Sequence, residues 1–277
     1  MPTDQDQIGD SAGELTESEK RIAEERTALR AAVIHEAIRT EGEAELLRPA
    51  SALMWSGMAA GLSMGFSLAA MGLLYSRLPD TQWRPLITDL GYTVGFLVVI
   101  LGRQHLYTEN TLTVMLPLLT NRDRKTFWAV LRLWSVVLVA NVLGAGMIAW
   151  VIARTDVFSP EVRTALTEVA MLTVKGRWLT VLLRGLFAGW IIATMVWMMP
   201  ASDSSRPAII IFMTYLVALG ELPHVVVSSV DGVYLIATGM FSWSGFAAFL
   251  VPTAIGNTIG GVLLVAFFNH AQVISES

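Results

Sequence analysis

The chain has 277 residues, of which 54% are hydrophobic and only 15% are charged, and its mean hydropathy is +0.57. Soluble domains carry about 25% charged residues, so this composition excludes an ordinary soluble protein and indicates a membrane protein. The net charge of −4 comes without a basic patch suited to nucleic acid, and the absence of cysteine excludes disulfides and thiol chemistry.

A charged arm precedes the apolar body. Residues 1–13 are polar and are predicted to be a disordered tail, and Thr16–Glu19 (TESE) has the pattern of a helix-capping box. Charges of alternating sign at helical spacing then predict a cytosolic amphipathic helix over residues 14–48, lying against the membrane body. An arm that binds a partner is the alternative interpretation, and His35 is predicted to be solvated.

Apolar windows make up most of the remaining chain. A helix needs about 20 apolar residues to cross the hydrocarbon core, and six windows qualify, at roughly 50–76, 87–120, 126–153, 178–200, 207–238 and 247–269. They define a predicted pore domain over residues 49–270, with a cytosolic tail at 271–277. Basic residues near the window ends, above all NRDRK at 121–125, favour a cytosolic location for both termini.

The second and fifth windows are too long for one straight span, and each contains a polar gap. The gaps read GRQHLYTENT at 102–111 and GELPHVVVSS at 220–229. Irregular backbone at membrane depth is tolerated only where protein or a water-filled cavity satisfies its amide groups. The gaps are therefore predicted to line a path, with a Gly/Pro kink packed in protein as the alternative.

An internal repeat relates the two halves of the chain. ANVLGAG at 140–146 and GNTIGGV at 256–262 share Asn-x-x-Gly, and His105 and His224 precede the two asparagines at similar distances. Each half therefore consists of a small-residue helix, a broken helix and an Asn-x-x-Gly helix. Three spans per half require opposite insertion, and inverted repeats with discontinuous helices are typical of channels and transporters.

These segments resemble the formate/nitrite transporter family over about residues 45–270, and the charged arm with RQHLYTENT and HVVVSSV resembles its YfdC-like branch. Leu106-Tyr107-Thr108 matches the family's Leu-Phe-Thr, His224 falls at its central pore histidine, and Gly95-Phe96 and GNTIGG also align. The resemblance implies an all-α, aquaporin-like protomer of six transmembrane helices, built as two inverted three-helix repeats with broken second and fifth helices. It also implies a homopentamer in the bacterial inner membrane, surrounded by lipids, with one pore per protomer and no cofactor.

The resemblance further implies which residues form the pore. Hydrophobic constrictions are expected from Phe96, Leu106, Tyr107 and Leu216. Thr108 is expected beside a central chamber, facing His224, and Ser228 stands where the family has an asparagine. The implied substrate is a small monovalent anion or its weak acid, such as formate or nitrite.

The chain departs from the family at several polar positions. Arg103-Gln104-His105 replaces Gly-Gly-Asp, and Glu221-Leu222-Pro223 adds a residue before the pore histidine. Gly189 stands where an asparagine usually partners a lysine, here Lys175. The family's scaffold is thus kept while the polar residues that line the pore change. Of the properties that the resemblance implies, the substrate is the one that carries over least to this chain.

The ionisable ring in the second gap suggests the chemistry of the path. Stripping water from an anion is costly unless the charge is paired or neutralised, and a histidine with a reference pKa of about 6.5 can exchange protons near neutral pH. His224 is therefore predicted to stabilise the anion or exchange a proton with it, while Thr108 hydrogen-bonds to it. A neutral histidine that holds the broken helix is the alternative.

Charged side chains at membrane depth need a partner or a path. Arg103 and Glu109 flank the first gap and are predicted to pair across it, with attraction of anions by Arg103 as the alternative. Glu221 and Asp231 border the second gap and are predicted to form ion pairs or vestibule walls. Lys175 is expected to concentrate anions at a vestibule.

The sequence therefore predicts a channel or transporter rather than an enzyme. It contains no H-E-x-x-H motif. A metal site shared by His105 and His224 is disfavoured because two histidines rarely suffice, so His105 is expected to line a vestibule. The alternative function is a non-conducting membrane scaffold or regulatory paralogue that acts through its charged arm.

Overall fold

The computed structural model describes residues 31–202 and 204–276. All regular secondary structure in these residues is helical, which confirms the all-α class. The predicted tail at 1–13, the capping box at Thr16–Glu19 and the start of the predicted arm helix lie outside the described residues.

The helices follow the order of the predicted windows. The first part of the described chain contains α1 (Ala31–Leu46), α2 (Ala50–Arg77), α3 (Arg84–Leu101, with a 3-10 turn at Asp89–Tyr92), α4 (Tyr107–Thr113), α5 (Met115–Asn121), α6 (Arg124–Arg154) and α7 (Pro160–Thr173). The second part contains α8 (Trp178–Met198), α9 (Arg206–Leu219), α10 (Val225–Ala237), α11 (Trp243–Gly261) and α12 (Phe268–Glu276), the last two joined by π-helical turns at Val262–Phe267. Helix thus continues to Glu276, where the sequence predicts a tail from residue 271.

Helix length and composition fit a membrane-embedded body. Among the described helices, α2, α3, α6 and α8 (the last including its 3-10 end at Ala201) are long and apolar enough to cross a membrane. Helices α9 and α10 are apolar but shorter, because the second gap divides their window. The charged helix α1 matches the predicted arm over its described part.

The two gaps end their helices with the same turn. Gly102 and Gly220 close α3 and α9, and the next residues, Arg103 and Glu221, both have a left-handed backbone with φ of 49°. In the first gap the N–H of Gln104 donates to the carbonyl oxygen of Val99 at 2.9 Å. In the second gap the N–H of Leu222 donates to the carbonyl oxygen of Val217 at 3.0 Å. This is the glycine-assisted turn that commonly ends helices, although a charged residue here occupies the position that favours glycine. We call Gly102–Leu106 the first break and Gly220–His224 the second break.

A buried asparagine holds the first break in place. Asn141 Nδ2 donates to the carbonyl oxygens of Gly57, at 2.7 Å, and His105, at 2.9 Å. Its Oδ1 accepts the N–H of Tyr107 at 2.8 Å. One side chain thus satisfies the backbone of α2 and of both sides of the break, as buried polar backbone requires.

Asn257 makes the same three contacts at the second break. Its Nδ2 donates to the carbonyl oxygens of Gly185, at 2.8 Å, and Pro223, at 3.0 Å, and its Oδ1 accepts the N–H of Val225 at 2.8 Å. The two Asn-x-x-Gly segments predicted from the sequence are therefore the anchors of the two breaks.

These matching bonds correct the predicted register of the repeat. Pro223 takes the place of His105, so the residue equivalent to His224 is Leu106, and both have extended backbone before their helix (φ −109° and −102°). The similar spacing of the two histidines from the asparagines was misleading. The chain from the break to its asparagine spans 34 residues in the first half and 32 in the second.

Glycines let the anchoring helices approach closely. A Cβ added at Gly61 would overlap the carbonyl oxygen of Asn141, and one added at Gly189 would overlap that of Asn257. Both glycines therefore allow close backbone packing between the helices. The structure leaves no room at Gly189 for the asparagine that the family usually has there.

The arm helix α1 is packed against the body over its described length. Gly42 lies against the carbonyl oxygen of Thr113, and Ile38 is buried in an apolar cluster with Leu112. At the end of α1, Arg132 Nη2 donates to the carbonyl oxygen of Leu46 at 2.7 Å. The prediction that the arm lies against the membrane body is confirmed for these residues.

His35 is buried rather than solvated, contrary to the prediction. Its side chain is 7% exposed, and Nε2 lies 2.9 Å from Nδ1 of His270, which is equally buried on α12. The two rings are stacked, with their centroids 5.1 Å apart. The sequence did not reveal this contact because its two residues come from opposite ends of the chain.

Candidate functional site

The two breaks meet at a hydrogen bond between His224 and Thr108. His224 Nε2 lies 2.6 Å from Thr108 Oγ1, and both side chains are buried. Thr108 belongs to the first turn of α4, and His224 is the residue before α10, so each break contributes one partner. The structure brings together the two polar residues that the sequence expects to face each other.

The second nitrogen of His224 caps α10. Nδ1 accepts the N–H of Val227 at 3.4 Å, which satisfies one of the free donors at the start of the helix. Because Nδ1 is an acceptor in this arrangement, the proton of the neutral ring is on Nε2 and is donated to Thr108. The hydroxyl proton of Thr108 has no acceptor among the described residues and is available to a passing molecule.

Aromatic and apolar side chains surround this pair. The rings of Phe96 and His224 meet edge to face with centroids 5.0 Å apart, and Tyr92 stacks obliquely on Phe96 at 5.3 Å. Leu106 is fully buried, and the hydroxyl of Tyr107 lies 2.8 Å from that of Thr258. Phe96, Leu106 and Tyr107 are thus all buried at or near the meeting point of the breaks.

Leu216 does not join this group. It is 51% exposed and lies one turn after Phe212, which is 71% exposed, so the two form an outward stripe on α9. The buried face of α9 instead carries Thr214 and Val217. The expectation that Leu216 narrows the path is wrong, because the position in the helical turn points it away from the interior.

Two buried polar groups follow the breaks without a partner. Ser228 lies four residues after His224 and Asn110 four residues after Leu106. Among the described residues, neither Ser228 Oγ nor Asn110 Nδ2 has a hydrogen-bond partner, although both atoms are buried. Such groups are uncommon in folded proteins and often mark a functional position.

Arg103 and Glu109 do not pair across the first break. Arg103 is exposed, and within residues 31–202 and 204–276 neither side chain forms an ion pair or a side-chain hydrogen bond. Both line a cavity of about 670 Å³ that opens between α1 and the first break. The prediction of an ion pair is wrong, because the left-handed turn at Arg103 leaves its side chain at the cavity wall.

His105 also lines this cavity and is tied to the arm. Its Nε2 lies 2.5 Å from Glu45 Oε2, and its Nδ1 lies 2.8 Å from Ser56 Oγ. Burial alone would raise the pKa of Glu45, but the hydrogen bond with His105 and the charge of Arg48 outweigh it and hold the pKa below its ordinary value. The sequence reasoning missed Glu45, and its only signal was a carboxylate at the very end of a charged helix.

The cavity stops short of the central pair. Its polar lining comes from α1 and the residues just after it, the first break, α4 and the start of α9, and consists of Thr40, Glu41, Glu45, Arg48, Arg103, Gln104, His105, Glu109, Asn110, Thr113 and Arg206. Thr108 and His224 do not line it. This cavity therefore does not reach the meeting point of the breaks.

Charges at the second break are paired. Glu221 Oε2 lies 3.0 Å from Lys175 Nζ and 3.8 Å from Arg184 Nη1. The prediction of an ion pair at Glu221 is confirmed. Asp231, three residues beyond Ser228, is buried in α10.

Comparison with known proteins adds independent information. The sequence profile described as "Formate/nitrite transporter" matches residues 32–271. The chain is 42% identical to "Inner membrane protein YfdC" of Escherichia coli (strain K12), over 99% of this chain and 91% of that protein. It is 26% identical to "Uncharacterized transporter YrhG" of Bacillus subtilis (strain 168), over 66% of this chain and 71% of that protein.

Solved structures share the fold. An "FNT family ion channel" superposes with a TM-score of 0.71 and 16% identity, over 87% of this chain and 96% of that chain. A "Pentameric formate channel with formate bound" superposes with a TM-score of 0.69 and 16% identity, over 82% of this chain and 98% of that chain. Since the profile spans most of the chain and the Escherichia coli protein is similar over nearly its whole length, this chain belongs to the formate/nitrite transporter family of membrane channels and transporters, which are not enzymes.

Proposed function

We propose that this protein conducts a small monovalent anion, or the corresponding weak acid, past His224 and Thr108. Family membership gives the coarser function, a membrane channel or transporter for formate-like anions. The observation that carries the finer proposal is the buried 2.6 Å contact that joins the two breaks. A gated narrow path requires a break in each half, a polar contact that joins the two breaks, and buried apolar side chains around that contact.

The chemistry of the pair suits an anion that must lose its water. Phe96 and Leu106 offer nothing that replaces hydration, so a bare charge at their level is unstable. The free hydroxyl proton of Thr108 can bond to an oxygen of formate or nitrite, and Nε2–H of His224 can supply a second bond. Proton uptake at Nδ1 would break the cap on α10, so proton exchange and the shape of the second break are coupled.

Ser228 and Tyr107 extend the same path. The unpartnered hydroxyl of Ser228 can bond to a substrate or water on the α10 side of His224. The bond from Tyr107 to Thr258 ties the α4 side to α11 and keeps the phenol ring beside Thr108. Both residues are proposed as path lining.

The proposed architecture is six spans in two inverted repeats. The first repeat comprises α2, the α3–α4–α5 series and α6, and the second comprises α8, the α9–α10 series and α11–α12. The matched anchoring by Asn141 and Asn257 supports the repeat, because each asparagine binds the same backbone positions of its own half. An odd number of spans per half inverts the second relative to the first.

We further propose a homopentamer in a bacterial inner membrane with both termini cytosolic. The support is that one similar structure is a pentameric formate channel and that one relative is an inner membrane protein. The apolar stripe of α9, with Phe212 and Leu216, would face lipid or a neighbouring copy. The first break and its cavity would then open to the cytosol.

Charges at the two mouths are proposed to act differently. Arg103 has no ion partner among the described residues, so its charge can draw anions to the first break. Lys175 is held by Glu221, which reduces the field that it offers to an anion at the second break. Glu109 and His105 complete the polar wall on the Arg103 side.

Flux through liposomes tests the proposal. Purified protein should pass at least one of formate, nitrite, hydrosulfide, lactate or a halide, with a rate that depends on pH. His224→Ala should change both the rate and its pH profile. Equal flux through the variant and the wild type at every pH would refute the role of His224.

A second function is favoured by one observation. The packed arm helix α1, with Glu45 bonded to His105, provides a surface from which a scaffold or regulatory paralogue could act. Deleting residues 1–45 separates the two functions. A conducting protein should still pass its substrate without the arm, whereas absence of flux in both full-length and shortened protein would favour the scaffold.

A further inference from the structure

The cavity between α1 and the first break is much larger than a formate-like anion needs. Its volume of about 670 Å³ falls within the roughly 300–1,000 Å³ of small-molecule pockets. It is separate from the central pair, since neither His224 nor Thr108 lines it. A three-atom anion would leave most of this space to water.

One part of the cavity wall lacks hydrogen-bond donors. The carboxylates of Glu41 on α1 and Glu109 on α4 lie close enough for their charges to interact, and neither forms an ion pair among the described residues. Gln104 also lines the cavity, and its buried Oε1 has no hydrogen-bond partner among the described residues. These three groups together suit a ligand that carries an ammonium group.

Two other side chains that line the cavity carry donors that are not paired within the described residues. Asn110 is only 6% exposed and lines the cavity, and its Nδ2 has no partner in the described structure. Arg103 also lines the cavity, with no ion partner among residues 31–202 and 204–276. An amide donor and a guanidinium together suit a carboxylate.

We infer that this cavity binds a free α-amino acid, with its ammonium toward Glu41 and Glu109 and its carboxylate toward Arg103 and Asn110. A simple anion would satisfy only the donors, and a simple cation would satisfy only the acceptors. A zwitterion meets both, and the remaining volume admits its side chain against Ile38 and other apolar residues. Because α1 supplies Glu41 and the first break supplies Arg103, the bound ligand ties the arm to the mouth.

Thermal unfolding of the purified full-length protein tests this site without relying on flux. Each common L-amino acid is added at about 10 mM, and at least one should raise Tm by about 2 °C or more. The carboxamide and the N-acetyl derivative of that amino acid should give no rise. Loss of the effect in both derivatives would show that both charges of the ligand are needed.

Matched variants locate the binding. Arg103→Gln should abolish the rise in Tm, whereas Arg122→Gln should keep it, because Arg122 has the same left-handed backbone (φ 52°) but lies outside the cavity. Glu109→Gln should also abolish the rise, and Glu41→Gln on the arm provides the same test if the Glu109 variant does not fold.

Three results would overturn the inference. The first is that no amino acid raises Tm. The second is that the carboxamide raises Tm as much as the amino acid does, which would indicate a cation site. The third is that the rise in Tm survives in the double variant Arg103→Gln, Glu41→Gln. Flux through liposomes enters none of these outcomes, so the amino acid site and the proposed path can fail separately.

Discussion

His224 is placed for both of the roles that the sequence presented as alternatives. Its Nδ1 caps α10 and therefore holds the broken helix, while its Nε2 reaches Thr108 in the first turn of α4. The cap on α10 fixes the tautomer that the proposed role in the path needs, because an accepting Nδ1 leaves the proton on Nε2. A substitution of this residue therefore disturbs both the helix start and the polar contact.

Thr108 provides a cleaner test of the contact than His224. Thr108→Val removes the hydroxyl and keeps the shape, so the buried Nε2–H of His224 loses its acceptor, at a cost of about 1–3 kcal/mol. We expect a reduced rate of flux and a changed pH profile. Thr214→Val is the matched control, because Thr214 is equally buried and bonds only to Ile210 of its own helix. Equal flux through the two variants would contradict the role of Thr108.

The central residues could be expected from the sequence and several surrounding ones could not. His224 and Thr108 were indicated because a polar ring and hydroxyl interrupt apolar windows at positions that match a family motif. Leu216 was misplaced because a residue added between α9 and His224 shifts the position on α9 that is reached by counting back from the histidine. Glu45 was missed because its partner, His105, lies 60 residues away, a distance over which local pattern carries no information.

At the scale of helices, each break is stable because a neighbouring helix supplies its hydrogen bonds. The asparagines can reach the breaks only because glycines bring α2 against α6 and α8 against α11. At Gly189 an added Cβ would lie 2.6 Å from Asn257 Cα and would overlap its carbonyl oxygen. Helix contact and the position of the second break therefore depend on the same small residue.

Gly189→Ala should consequently destabilise the protein by about 1–3 kcal/mol, as overpacking does, and displace the second break. Gly146→Ala is the matched control, since its Cβ would lie 3.9 Å from Val233, an ordinary contact, and alanine is intrinsically favoured in helices by about 1 kcal/mol. Thermal unfolding in detergent and flux measure the two effects. A Gly189 variant as stable as the Gly146 variant would contradict this account of the packing.

The sequence indicated the order of the helices better than the pairing of their residues. Long apolar windows and their polar gaps follow from composition, so the helices and both breaks could be expected. The register of the repeat could not, because equivalence is defined by which carbonyl and N–H each asparagine binds. The intervals from break to asparagine are similar but unequal, so His105 looked like the residue equivalent to His224. The equivalent residue is Leu106.

For the molecule as a whole, the arm is bound to the body at both of its described ends. Glu45 contacts His105 at the first break, and His35 contacts His270 on the last helix. These ends lie on either side of the close contact at Gly42. Docking of α1 is thus linked to the protonation of two groups that face different parts of the body.

The pKa directions of both groups predict that docking weakens as pH falls. Burial, followed by His270, lowers the pKa of His35 from 6.5, while Glu36 opposes this shift and Arg39 adds to it. A docked histidine with a lowered pKa binds fewer protons than the released one, so its contribution is complete above about pH 6.5 and is lost as pH falls toward the docked value. Glu45 acts in the same direction at lower pH, because its pKa is also lowered, from 4.5.

Hydrogen exchange of residues 31–46 measures this release. After correction for the intrinsic pH dependence of exchange, protection should fall between about pH 7.5 and pH 5.5, while protection of α2 should stay constant. His35→Gln keeps a hydrogen-bonding side chain but cannot titrate, so the loss of protection over this interval should disappear. Protection of α1 that is independent of pH in the wild type, or a loss that persists in His35→Gln, would mean that the contact between His35 and His270 does not control the position of the arm.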